Sequence, residues 1–160
     1  MADKILVDTN ILLYAYDRAE PVKQAQAAAI LDRLASRSLG VLTPQVLAEF
    51  FINATRKIKK PLTMEQAYER IQNYLLSWEV LDVTGSITLE AVRGVRSYKM
   101  AYWDAQIWAS ARMHQIRFIF TEDFNVGAVI EGVGFINPLA EGFNLDTIGG
   151  RSGKGSSLKF

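Results

Sequence analysis

The chain has 160 residues, of which 49% are hydrophobic, 22% charged and 11% aromatic, and its formal net charge is +1. One core-bearing domain suits that length and balance, which exclude a wholly disordered chain, a coiled coil and a membrane bundle. With no Cys and a single His, His114, disulfides, Cys-ligated zinc, thiol nucleophiles and multi-histidine metal centres fall away, and any metal has to be held mainly by oxygen.

The longest uninterrupted apolar run, residues 11–16, is far short of a bilayer span. No basic-then-apolar leader opens the chain, so a cytoplasmic protein with no membrane partner is expected. The near-neutral charge leaves nucleic acid open as a partner, because an acidic centre offsets a basic rim.

In chain order, Lys4-Ile5-Leu6-Val7 reads as a buried strand that ends at Asp8, and residues 10–16 as a short helix leaving it. Residues 21–37, rich in Ala and Gln, form a helix. Gly40-Val41-Leu42 is a second strand. Thr43-Pro44 then supplies a capping hydroxyl and a proline at the first helical position, for a helix expected to reach about residue 60. Thr63-Met64-Glu65-Gln66 has the spacing of a capping box and opens a helix to about residue 78. Residues 80–83 are a third strand, 87–95 and 101–115 helices, 117–121 a fourth strand and 134–136 a weak fifth. Strands alternating with helices predict a mainly parallel sheet covered on both faces. Residues 1–142 form the domain, and 143–160 a flexible basic tail. Within that tail Gly153-Lys154 lacks the Ser or Thr that a phosphate-binding loop needs next, and no strand precedes it.

In open α/β sheets, ligands bind beyond the carboxyl ends of the strands. Asp8 stands there after strand one, and Glu122 and Asp123 after strand four. Each alone reads equally as a helix cap or turn residue. Asp104 says more. At about 100° per residue, Ile107, Trp108 and Ala111 fall within roughly 60° of it, so its charge leaves the apolar face of its helix. A carboxylate there needs a compensating cation, either a metal or an Arg or Lys of the fold. Glu49 falls just off the stripe made by Val46, Leu47, Phe50, Phe51, Ala54 and Ile58, in line with Asn53, Arg56 and Lys60. That line would run from a carboxylate to cations able to hold phosphates.

Four segments together resemble the PIN-domain proteins, especially the VapC-type toxin ribonucleases. They are Val7-Asp8-Thr9-Asn10-Ile11-Leu12-Leu13-Tyr14, Thr43-Pro44-Gln45-Val46-Leu47-Ala48-Glu49, Tyr102-Trp103-Asp104-Ala105-Gln106-Ile107 and Phe120-Thr121-Glu122-Asp123. The resemblance implies a three-layer α/β/α fold with a mainly parallel sheet of about five strands. It implies an Mg²⁺- or Mn²⁺-dependent endoribonuclease, the toxin of a toxin–antitoxin pair, acting as a homodimer and silenced by an antitoxin protein. By motif, Asp8, Glu49, Asp104 and Asp123 take the four acidic positions, with Asp8 and Asp104 the direct metal ligands and Thr9 and Asn10 orienting the first acid. Glu122 competes with Asp123 for the fourth place.

Carboxylates without His or Cys suit a hard divalent cation, and four of them packed together raise the pKa of at least one. Arg56, Lys60 and Arg112 are the first candidates to meet RNA, with Lys57 and Lys59 beside them and Arg93, Arg96 and Lys99 as a second group. Tyr98, Tyr102 and Trp103 are candidates to stack on bases. Ile52, opposite its helix's apolar stripe, hints at a partner surface. Two other readings stay open. One is a PIN-fold binding module without catalysis. The other is a haloacid-dehalogenase-type phosphatase, which wants a second acid where Asn10 stands.

Overall fold

In the computed structural model, which describes residues 3–148, β1 (Ile5–Val7) is wholly buried and its side chains alternate between two cores. Ile5 and Val7 face one core and Leu6 the other, as a strand covered by helices on both faces must. The chain continues through α1 (Thr9–Tyr14), α2 (Pro21–Ser36), β2 (Gly40–Leu42), α3 (Pro44–Arg56), α4 (Met64–Ser77) and β3 (Glu79–Val80). It then forms α5 (Gly85–Tyr98), α6 (Tyr102–Met113), β4 (Phe118–Phe120), β5 (Val129–Ile130) and β6 (Val133–Ile136), and ends in a short 3₁₀ turn, Leu145–Thr147.

The strand order is β3-β2-β1-β4-β6-β5, parallel throughout except for β5, which runs antiparallel to β6. Helices α1 to α4 supply Ile11, Leu34, Phe50 and Tyr74 to the first core. Helices α5 and α6 supply Ile87, Ala91, Ile107 and Trp108 to the second. The result is the expected three-layer α/β/α arrangement. Helices α5 and α6 approach closely at Gly94, where a Cβ would stand 2.9 Å from the Trp108 ring.

Local signals act as the sequence predicts at the helix starts. Thr43 accepts from the Val46 N–H ahead of Pro44, and Thr63 and Gln66 complete a reciprocal capping box. The ends differ. Helix α3 stops at Arg56 rather than near residue 60, because Pro61 disfavours helical backbone before it and Leu62 returns its N–H to the Ala54 carbonyl at 2.9 Å. The third strand is only Glu79–Val80. The sheet has six strands rather than about five. Residues 129–136 make a tight hairpin whose turn residues, Glu131 and Gly132, both have positive φ (47° and 82°).

Residues 143–148, the first part of the expected tail, pack on the domain. Phe143 packs edge-on against Phe120 with ring centres 5.5 Å apart, Leu145 is buried, and Asp146 pairs with Arg33 and Arg37 at 3.1 and 2.7 Å. An apolar residue every few positions is enough to lay this segment on the first core. The Gly-rich basic stretch 149–160 lies outside the described residues. Among those described, no helix is long and apolar enough to cross a membrane.

Candidate active site

From β1 the chain winds outward through β2 to β3, and only β4 returns to the other side of β1. The crevice at this switch point lies beyond the carboxyl ends of β1 and β4. Asp8 follows β1 directly and Thr121, Glu122 and Asp123 follow β4. Helix α3 brings Glu49 from its second turn, and α6 brings Asp104 from its first.

Asp8 is 6% exposed and fully engaged. Its Oδ1 accepts from the Thr9 N–H at 2.7 Å, so it caps α1. Its Oδ2 accepts from the Thr121 hydroxyl at 2.8 Å and from Asn10 Nδ2 at 3.3 Å. The same Asn10 nitrogen donates to Asp123 Oδ2 at 2.9 Å, and Asn10 Oδ1 accepts from the Glu122 N–H at 3.3 Å. Asn10 therefore ties the two strand ends together. The Thr9 hydroxyl lies 3.1 Å from Glu49 Oε2, linking α1 to α3. Gln45 Nε2 is 3.4 Å from Glu49 Oε1 and 3.0 Å from the Trp103 carbonyl oxygen.

None of Asp8, Glu49, Asp104 or Asp123 has a Lys or Arg within salt-bridge distance among the described residues. Glu122 does: Lys23 holds it at 3.1 Å and Tyr14 donates to it at 2.6 Å. Burial pushes the Asp8 carboxyl up from 3.8 to about 6. Hydrogen bonds from Thr121 and the Thr9 backbone pull it down, and the charges of Glu49 and Asp104 push it up again. Burial, then the charges of Glu49 and Asp123, raise the Asp104 carboxyl too. Asp8 and Asp104 thus stand in the field of neighbouring acids. Among the described residues no three of them converge on one point as metal ligands, so an ion would have to draw the side chains inward. The donor set, four carboxylates unpaired by cations and flanked by hydroxyl and amide groups, has the chemistry for a hard divalent ion.

The cationic candidates lie elsewhere. Arg56, in the last turn of α3, stays in line with Glu49 seven residues on, whereas Lys60 sits in the loop beyond the helix and leaves that line. Arg112 lies in the last turn of α6 and is held by Glu90 at 3.2 Å and Glu131 at 3.7 Å. Arg93 meets the same two carboxylates. Tyr98 donates to Glu131 and packs on Trp108, and Tyr102 donates to Gln106 Oε1 at 3.0 Å. Trp103, next to Asp104, is 59% exposed. Ile52 is exposed, as its position opposite the apolar stripe requires.

Sequence reasoning missed Thr121, Gln45 and Gln106. Thr121 and Gln45 looked like a strand end and an ordinary first-turn residue. Gln106 carried a signal, an amide inside the otherwise apolar run Ala105 to Ala109.

An α/β protein with unpaired acids gathered at its switch point is the class that fold and site define. The PIN domain family matches residues 5–129, and the chain belongs to that family. The haloacid-dehalogenase alternative falls with this match, and Asn10 is here an amide donor between two acids. No curated protein matches the chain in sequence. Solved structures share the fold at low identity. A toxin–antitoxin complex from Klebsiella pneumoniae is 20% identical, with a TM-score of 0.60, over 84% of this chain and 98% of that one. Mycobacterium tuberculosis VapC20, a sarcin–ricin loop cleaving toxin, is 19% identical, with a TM-score of 0.61, over 80% and 98%. VapBC2 from Rickettsia felis, bound to a DNA fragment from its promoter, is 17% identical, with a TM-score of 0.58, over 82% and 96%.

Proposed function

We propose that this PIN-domain chain is a divalent-metal-dependent endoribonuclease that hydrolyses RNA phosphodiester bonds, and the toxin of a toxin–antitoxin pair. One observation carries the reading. Asp8 feels the charges of Glu49 and Asp104, Asp104 feels those of Glu49 and Asp123, and no Arg or Lys among the described residues neutralises any of the four. Purely structural acids with raised pKa values would be a standing cost to the fold, whereas acids kept for a cation gain their compensation on binding it.

Asp8 and Asp104 are the direct ligands, with Glu49 and Asp123 completing the site. When bound, Mg²⁺ or Mn²⁺ neutralises charge on the scissile phosphate and makes water a stronger acid. Asn10 and Thr121 fix the orientation of Asp8 by donating to its Oδ2, and Thr9 orients Glu49. Glu49 takes the proton of the attacking water. Asp123, and not Glu122, fills the fourth place, since Lys23 already neutralises Glu122. Arg56 and Lys60 remain candidates for the RNA backbone, and Trp103 for stacking on a base. The likeness to a toxin–antitoxin complex from Klebsiella pneumoniae and to VapBC2 from Rickettsia felis supports an antitoxin partner. A homodimer and a cytoplasmic site of action accord with the same reading.

The deciding experiment incubates the full chain with RNA and Mn²⁺ or Mg²⁺, beside Asp8→Asn and Asp104→Asn. Cation-dependent cleavage that both substitutions abolish is the expected result. Cleavage surviving in a folded Asp104→Asn would refute the assignment. Binding of RNA without cleavage under any divalent cation would favour a non-catalytic module.

A further inference from the structure

Glu49 and Asp104 stand on helices of opposite layers: α3 covers the first core and α6 the second. Among the described residues, every hydrogen bond between α3 and α6 runs through one side chain, Gln45. Its Nε2 donates to the Trp103 carbonyl at 3.0 Å, and its Oε1 accepts from Gln106 Nε2 at 2.8 Å. Both amides are buried, at 9% and 7% exposure.

The chain of donors has one direction. The Tyr102 hydroxyl donates to Gln106 Oε1, so Gln106 turns its nitrogen to Gln45 Oε1. Gln45 must then turn its own nitrogen outward, to the Trp103 carbonyl and to Glu49 Oε1 at 3.4 Å. A buried amide whose partners are all specified holds its neighbours in one arrangement, since any other leaves a polar group unsatisfied. The bridge thus locks the backbone one residue before Asp104 to the helix turn before Glu49. It also presents only an N–H to the Glu49 carboxylate.

We propose that Gln45 and Gln106 are positioning residues that set the separation of Glu49 and Asp104 across the two layers, and thereby the affinity of the acidic crevice for a divalent cation. This rests on the metal-dependent nuclease reading above. Neither glutamine touches substrate; each acts through an acid or through the helix that carries it.

Mn²⁺ titrated calorimetrically into the full chain tests this, with Gln45→Met and Gln106→Met beside the unsubstituted protein. Both variants keep the side-chain volume and remove the amide. Gln45→Met should bind Mn²⁺ about 10-fold more weakly, as loss of an orienting partner does. Gln106→Met should shift in the same direction. At fixed Mn²⁺ both should lose kcat with the KM for RNA unchanged, and more Mn²⁺ should restore the rate. A variant that melts lower but binds Mn²⁺ like the unsubstituted protein would show a merely structural bridge and overturn the proposal. If Gln45→Met does not fold, Gln106→Met decides by the same criterion. If the unsubstituted chain binds no Mn²⁺ and cleaves no RNA, the nuclease reading itself fails. Binding and cleavage by the unsubstituted chain with unchanged variants defeats the bridge alone.

Discussion

The Thr121 hydroxyl, at the end of β4, donates to Asp8 Oδ2, at the end of β1, across 2.8 Å. Both residues are buried, and this bond is the largest influence holding the Asp8 carboxyl down against its burial. Thr121→Val keeps the shape and removes the donor. It should cost about 1–3 kcal/mol of stability and raise the Asp8 pKa further. The acid limb of the pH–rate profile should move to higher pH, alongside a lower denaturation midpoint. An unmoved limb would show that Thr121 has no hold on the ionisation that matters.

The raised Asp8 pKa fixes the sign of a stability change. Its folded value is about 6 against the ordinary 3.8. The folded chain therefore holds this proton more tightly than the unfolded one, and cation-free stability falls as pH rises through that window, levelling above it. The drop attributable to Asp8 is at most roughly 3 kcal/mol. Asp8→Asn should flatten the curve measured by denaturation between pH 4 and 7. Mn²⁺ should stabilise the unsubstituted chain more at pH 7 than at pH 5, because the ion needs the ionised carboxyl.

Asp104 has no hydrogen-bond partner among the described side chains, and burial with the charges of Glu49 and Asp123 raises its pKa. Asp104→Asn should fold and, without cation, melt no lower than the unsubstituted chain. Cleavage should fall by about 100-fold or more, beyond the loss typical of a residue that only orients a ligand. A thermal melt paired with an RNA cleavage assay checks both halves.

Glu122 and Asp123 are neighbours with different partners. Glu122 faces Lys23 and Tyr14, and Asp123 faces Asn10. Asp123→Asn should slow cleavage markedly. Glu122→Gln should leave the rate near normal and cost at most about 1 kcal/mol, as part-exposed ion pairs do. The reverse pattern would exchange their roles.

Arg112 is already neutralised by Glu90 and Glu131, whereas Arg56 has no acidic partner among the described residues. Arg56→Ala should therefore weaken RNA binding and lower the salt slope by about 0.7, one phosphate's share for a single strand. Arg112→Ala should leave that slope unchanged. Titrations of RNA at several salt concentrations would separate them.

The helix starts were legible because capping is local: Thr43-Pro44 and Thr63 with Gln66 carry their meaning within four residues. Asp104 was legible for a similar reason, since a charge inside an apolar helical stripe conflicts with its surroundings wherever the helix lies. The short β5–β6 hairpin was not, because Glu131-Gly132 reaches positive φ without the usual Asn-Gly signal. Helix α3 ends earlier than the sequence predicts because Pro61 and the return of Leu62 to Ala54 act together, and only the first is written in the chain.

Residue order alone was enough to establish alternating strands and helices, two apolar cores on either side of a parallel sheet, and four acids in a PIN-like sequence of motifs. The folded topology decided the rest: that Glu122 is spent on Lys23, that Arg112 is spent on two glutamates, and that two buried glutamines join the layers carrying Glu49 and Asp104. The reason is range. Patterning and capping are settled among neighbours along the chain, whereas the pairing of a charge or an amide depends on what distant parts of the chain bring beside it.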